Sequence, residues 1–181
     1  MEKDILLAIH SQANPMLDIA IPLLTALAEP TFIGAFAVAI GLVYVIRRKW
    51  AWAVLWLGGV AGAGAIAYVL KHIVARPRPE LWERLVVETG YSLPSGHAVA
   101  SMAVAACVVI MLWHTKWRRL AIVLGSLYVV LIGFTRLYLG VHYPTDVLAG
   151  WLIASVWLII VGLLLGKLRY LKPSLESSKK V

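Results

Sequence analysis

Charge is scarce in this chain. Only 14% of its 181 residues are Asp, Glu, Lys or Arg, while 61% are hydrophobic and the mean hydropathy is +0.85. Soluble domains carry roughly 25% charged residues, so an ordinary water-soluble fold is excluded. Cysteine is scarcer still: Cys107 stands alone, which forbids an intrachain disulfide and leaves the redox compartment unread. Acidic residues number nine against seventeen Lys plus Arg, giving a net charge of +8. That excess would suit nucleic acid if it formed one polar face. It is split instead into short clusters just beyond apolar runs: Arg47-Arg48-Lys49, Lys116 with Arg118-Arg119, and the tail from Lys167 to Lys180. This is the positive-inside pattern of a polytopic membrane protein, with a tail able to touch anionic headgroups, and no nucleic-acid partner is expected. A basic n-region followed by a small-residue cleavage site is also missing after Met1-Glu2-Lys3-Asp4, so no removable signal peptide is expected.

What the chain does have is a series of long apolar runs. Five of them, at roughly 31–46, 51–70, 97–113, 119–137 and 146–166, approach the ~20 residues that cross a hydrocarbon core. The predicted fold is an all-α polytopic membrane helix bundle. Residues 4–28 hold two shorter apolar stretches, split by the segment His10 to Pro15 and interrupted at Pro22. They read as interfacial or re-entrant helices, with a sixth span as the alternative. The expected organisation is an N-terminal helical part at 1–30, a membrane core at 31–168 and a basic cytoplasmic tail at 169–181. The small-residue run Gly58-Gly59-Val60-Ala61-Gly62-Ala63-Gly64 lies mid-span and reads as a helix-packing seam rather than a phosphate cradle.

Placing the three basic clusters in the cytoplasm is self-consistent with five spans. The long connection from Lys71 to Pro94 and the short one from Tyr138 to Thr145 then both face outward. The first of these holds Lys71, Arg76, Arg78 and Arg84, cations that the positive-inside rule does not predict. Ionisable groups beside bilayer-length runs are costly to place and are functional candidates by default. If the helix continues past the membrane, Lys71 and Arg78 share one face two turns apart, until Pro77 and Pro79 end it. Arg offers a planar fork for phosphate oxygens and Lys a mobile point charge. Taken alone, Lys71 and Arg76 read better as cations snorkelling from a helix end.

Pro94-Ser95-Gly96-His97 stands at the start of the third span. Ser95 is a candidate N-cap, and the Gly96 and His97 amides with the helix dipole suit an anion. Plain capping would explain the first three residues, but His97 adds a group able to give or take a proton. Further on, His142 and Asp146 are four residues apart across Pro144, with Thr145 a candidate N-cap of the last span. A carboxylate at that distance can hold one imidazole nitrogen and leave the other free as base or nucleophile. Arg136 ends the preceding span. A His–Asp pair that merely caps a helix is the bland alternative. His10, His72 and His114 fall outside the pattern.

Together, Lys71-x6-Arg78-Pro79, Pro94-Ser95-Gly96-His97 and Arg136-x5-His142-x3-Asp146 resemble the three-part signature of the type 2 phosphatidic acid phosphatase family of membrane lipid phosphatases. Thr135 departs from it, since the family usually has Ser before the arginine. The small size and the opening from Ala8 to Asp18 are similar to bacterial members acting on undecaprenyl diphosphate or phosphatidylglycerol phosphate. The resemblance implies that His142 attacks phosphorus to give a phosphohistidine, with Asp146 orienting it and His97 protonating the departing oxygen. Lys71, Arg78, Ser95, Gly96 and Arg136 would hold the phosphate oxygens. It also implies a lipid phosphate substrate, a bacterial inner-membrane location with an extracytoplasmic site, and catalysis without metal or other cofactor. A vanadium haloperoxidase has a similar anion site, but that class resembles soluble proteins. An anion or lipid transporter would not need the His142–Asp146 pair opposite His97.

Overall fold

The computed structural model describes residues 1–167, all of whose regular structure is helical. Seven helices follow in order: α1 Glu2–His10, α2 Pro15–Ala26, α3 Pro30–Ile46, α4 Trp50–Val74, α5 Gly96–Leu112, α6 Arg118–Tyr138 and α7 Pro144–Lys167. Their starts are written in the sequence. Proline occupies the first position of α2, α3 and α7, where its missing N–H costs nothing, and Asn14 caps α2 by accepting from the Leu17 amide at 3.1 Å. The basic tail expected at 169–181 lies outside the described residues.

By length and composition, four stretches can cross a bilayer: Pro15–Ile46 taken as one run, Trp50–Val74, Arg118–Tyr138 and Pro144–Gly166. The fifth apolar helix, α5, has only 17 residues and is the central one, packed against α3, α4, α6 and α7. Its small side chains, Ala98, Ala100, Ala103 and Ala105, let the neighbours close in. The glycine run of α4 is a seam as expected: a Cβ on Gly59 would lie 2.8 Å from Leu158, and Gly62 sits against the Trp157 ring, whose Nε1 donates to the Gly58 carbonyl at 2.9 Å.

Helices α3, α5 and α7 run away from one end of the bundle, and α4 and α6 run toward it. Arg47, Arg48 and Lys49 lie in the α3–α4 turn, and Lys116, Arg118 and Arg119 at the α5–α6 turn, so both described basic clusters share the opposite end. Helices α1 and α2 stay with the first end. The Tyr138 hydroxyl donates to Asp18 at 2.7 Å, Arg136 reaches Thr25, and Glu2 meets Thr145.

Candidate active site

The site occupies the end of the bundle where α4 and α6 finish and α5 and α7 begin. Two of the sequence motifs meet there through the backbone: the Ser95 amide donates to the Asp146 carbonyl at 3.0 Å. Gly150 makes that approach possible, because a Cβ there would stand 2.9 Å from both the Ser95 carbonyl oxygen and Ala98 Cβ. The α6–α7 turn is fixed by Gly140, whose φ of +64° places it in the left-handed region under the Trp82 indole. Trp82 in turn stacks on His10 at 4.0 Å between ring centroids. The α6–α7 connection is thus held on the α4–α5 connection.

Arg78 is the organiser. Its Nη1 donates to the Val141 carbonyl at 3.0 Å and contacts His142 Nε2 at 3.2 Å, its Nε donates to the Gly90 carbonyl at 3.1 Å, and its Nη2 donates to the Thr89 carbonyl at 3.0 Å. A guanidinium can only donate, so the facing His142 Nε2 carries a lone pair and the ring proton is on Nδ1. That Nδ1 points toward Asp146 Oδ2 at 3.6 Å, slightly too long for a direct hydrogen bond. Asp146 is itself fixed: Oδ1 accepts from Arg76 at 2.8 Å and Oδ2 from the Tyr143 amide at 2.8 Å. Burial, with repulsion from Arg136 and Arg78, pushes the His142 pKa down to about 4 against the pull of Asp146. A neutral imidazole with its lone pair held at Nε2 is the form a nucleophile needs.

The cations converge on one carboxylate. Glu88, from the α4–α5 connection, pairs with Arg136 and lies 3.4 Å from Arg78 Nη2. Burial would raise the Glu88 pKa, but Arg136 and Arg78 outweigh it and hold the carboxyl below its ordinary range. Arg136 is fully buried and its Nη1 donates to Thr25 at 2.8 Å. Two arginines from different elements can therefore grip a single anion. Around them, Ser95 Oγ, Arg136 Nε and His142 Nδ1 are buried polar atoms with no hydrogen-bond partner. Unpaired buried groups of this kind are rare, and these three belong to the sequence motifs.

His97 lies in the first turn of α5, within electrostatic reach of Arg136, Glu88, His142 and Lys71. Lys71 faces the end of an apolar cavity of about 450 Å³ between α3, α4 and α5, beside Gly96. Every residue singled out in the three motifs thus gathers at one end of the bundle. Several local expectations change. Helix α4 stops at Val74 and Ala75 turns left-handed with φ 47°, so Arg78 reaches the site from a loop and not from the face that carries Lys71. Ser95 does stand at the N-cap, but its hydroxyl makes no capping bond. Thr145 is inside the first turn of α7, where its hydroxyl takes a bond from Arg76 at 2.7 Å and gives one to Glu2 at 2.6 Å. Arg76 is not a snorkelling cation: it bridges Glu2 and Asp146 and lies 4.1 Å over the Tyr143 ring.

Sequence reasoning passed over Glu2, Glu29 and Glu88. An isolated carboxylate beside an apolar run is as costly as an isolated cation, and the same criterion applied to acids would have found Glu29, which stands directly before Pro30. Among the described residues no three His, Cys, Asp or Glu side chains gather as a metal-ligand set.

Residues 52–170 match the PAP2 superfamily. Among curated relatives, an undecaprenyl-diphosphatase of Sulfolobus acidocaldarius is 43% identical over 92 residues, which is 48% of this chain and 42% of that protein. A phosphatidylglycerophosphatase B of Bacillus subtilis is 29% identical over 155 residues, 82% of this chain and 75% of that one. The crystal structure of a transmembrane PAP2-type phosphatidylglycerolphosphate phosphatase from Bacillus subtilis superposes with a TM-score of 0.82 at 27% identity, covering 92% of this chain and 85% of that one. Aquifex aeolicus LpxE shares the fold at a TM-score of 0.70 and 24% identity, over 88% of this chain and 93% of that one. With residues 52–170 matched to the family, although the chain spans less than half the length of the Sulfolobus relative, and with the bundle shared with a solved member, the chain is a multi-pass membrane protein that belongs to the PAP2 superfamily.

Proposed function

We propose that this protein hydrolyses a phosphorylated membrane lipid through a phosphohistidine on His142, with undecaprenyl diphosphate, converted to undecaprenyl phosphate and phosphate, as the preferred substrate. The observation that carries the reading is the contact between Arg78 and His142 Nε2, which fixes the nucleophilic lone pair beside the cluster that grips an anion. Nε2 attacks phosphorus as the bond to the leaving oxygen breaks, and His97 gives that oxygen its proton. Water then attacks the phosphohistidine, with the neutral His97 accepting its proton, and phosphate leaves. Arg78, Arg136, Lys71, Ser95 and the Gly96 amide stabilise the equatorial oxygens as charge develops. The guanidinium and ammonium groups supply the charge a divalent ion would, and catalysis is taken to be metal-independent.

The choice of lipid draws on the undecaprenyl-diphosphatase named among the relatives. A phosphatidylglycerophosphate or phosphatidic acid phosphatase is the second reading, favoured by the longer match to the Bacillus protein. Turnover by the purified protein in detergent, compared across undecaprenyl diphosphate, phosphatidylglycerol phosphate and phosphatidic acid, decides between them. No phosphate release from any of the three, with or without added divalent cation, overturns the proposal; release that requires the cation overturns metal independence alone.

The basic clusters at the far end of the bundle support a cell-membrane enzyme whose site faces out of the cytoplasm. Val87 is 95% exposed on the outer connection and Cys107 is buried. A cysteine introduced by Val87→Cys in a Cys107→Ser background is therefore expected to react with a membrane-impermeant thiol reagent in intact cells. Labelling only after permeabilisation reverses the orientation.

A further inference from the structure

The buried His97 has a carboxylate partner that no motif contains. Its Nε2 lies 3.3 Å from Glu29 Oε2, while Glu29 Oε1 accepts from the Thr31 hydroxyl at 3.4 Å. Glu29 sits just ahead of α3, a helix that the signature does not touch. The side chains differ sharply in exposure, 6% for His97 and 48% for Glu29. The two also share a position. Pro30, next to Glu29, and Gly96, next to His97, both line the site end of the apolar cavity, and a Cβ on Gly96 would stand 3.3 Å from Pro30. The apolar lining of that cavity suits a lipid tail, and a lipid seated there would put its phosphate-bearing oxygen at this corner.

We propose that Glu29 is the positioning residue of the acid: it faces His97 Nε2 as an ion-pair partner that favours a proton there, where the leaving oxygen departs, and gives up that contact to the oxygen when lipid binds. This rests on the reading of His97 as general acid given above. The need is physical. The groups that act on His97 are Lys71 from α4, Arg136 from α6, and Glu88 and His142 from the connections. The three cationic or potentially cationic members of that set oppose an imidazolium. Glu88 is shared with Arg136 and Arg78, and Glu29 is the carboxylate whose oxygen lies within ion-pair distance of His97 Nε2. No covalent step is added; the proton that His97 gives to the leaving oxygen is recovered from the hydrolytic water.

The test is the pH dependence of kcat/KM for a monophosphate lipid (phosphatidic acid) and for undecaprenyl diphosphate, in the parent, Glu29→Gln, Glu29→Asp and His97→Ala. A monophosphate expels an alkoxide and leans on the acid. Glu29→Gln is expected to move the alkaline limb for phosphatidic acid about one unit to lower pH, the size of effect a neighbouring charge exerts, so that activity at neutral pH falls by about tenfold and returns on acidification. The diphosphate should suffer less, and Glu29→Asp should recover part of the loss. An alkaline limb that stays in place overturns the proposal. So does an equal loss on both lipids accompanied by a lower unfolding temperature, the mark of a structural role at the start of α3. If instead His97→Ala shows no bias between the two lipids, the acid assignment itself fails, and the role of Glu29 falls with it.

Discussion

The two histidines of the site live in opposite kinds of surroundings. His142 and Asp146 are four residues apart on one segment, both almost fully buried, and the carboxylate is tied down by its own backbone at Tyr143 and by Arg76. His97 finds its carboxylate just ahead of α3, at a position half open to solvent. A nucleophile needs one fixed tautomer and freedom from water, and Arg78 facing Nε2, Asp146 beside Nδ1 and the burial of the pair suit both. A general acid has to be loaded with a proton, which a buried group among cations resists unless a carboxylate favours it. The difference in environment supports the proposed roles.

The sharpest way to break that contrast is His142→Ala. It should lower phosphate release by roughly 10⁵-fold or more, as removal of a nucleophile does, while membrane insertion and the unfolding transition stay close to the parent. Appreciable turnover would hand the attack to another group. Asp146→Asn keeps the attacking nitrogen but loses the charge and the preferred tautomer, and a loss of roughly 10³-fold is expected from single-turnover kinetics. Arg136→Ala should slow monophosphate and diphosphate lipids alike, by about 100-fold, because it holds the transferred phosphoryl group in both. A loss confined to one lipid would show that it reads the leaving group instead.

His97→Ala sharpens the comparison from the other side. With chemistry limiting and substrate saturating, it should cost the monophosphate lipid about tenfold more than the diphosphate, since a departing phosphate needs little protonation. Equal losses would make His97 an anion binder. The pH behaviour of His142 gives the smallest effect. Its folded-state pKa is depressed from 6.5 to about 4, so the unfolded chain takes up a proton through the mid-6 range that the folded site refuses. His142 therefore lowers stability progressively as pH falls from 6.5 toward 4, and its nucleophilic form is lost only near the lower value. Replacing it with Ala should reduce the acid-induced fall in unfolding temperature over that interval; an unchanged fall would place its folded pKa near the ordinary one.

The same contrast explains what could be read from the sequence. The helical runs at 31–46, 51–70, 97–113, 119–137 and 146–166 coincide closely with α3 to α7, because an apolar run of bilayer length leaves the backbone no other way to satisfy its hydrogen bonds. The His142–Asp146 relation was legible because both residues sit within one turn of chain. Local spacing carries no information about Glu29 meeting His97, Glu88 meeting Arg136, or Gly150 admitting Ser95, since each joins elements distant in sequence and depends on how the helices pack. It also misplaced Arg78. Extending α4 to Pro77 ignored the left-handed Ala75, which is a property of the loop's many bonds to Arg78 and Arg76 and not of any single residue type.

Arg76 has one further consequence, a practical one for anyone handling the protein. Its guanidinium joins Glu2 to Asp146, and Glu2 also binds the Thr145 hydroxyl, so the second residue of the chain is two ion pairs away from the carboxylate beside His142. An affinity tag or fusion partner ahead of Met1 would pull on that chain of charges. A preparation tagged there is expected to fold and insert and still under-report activity.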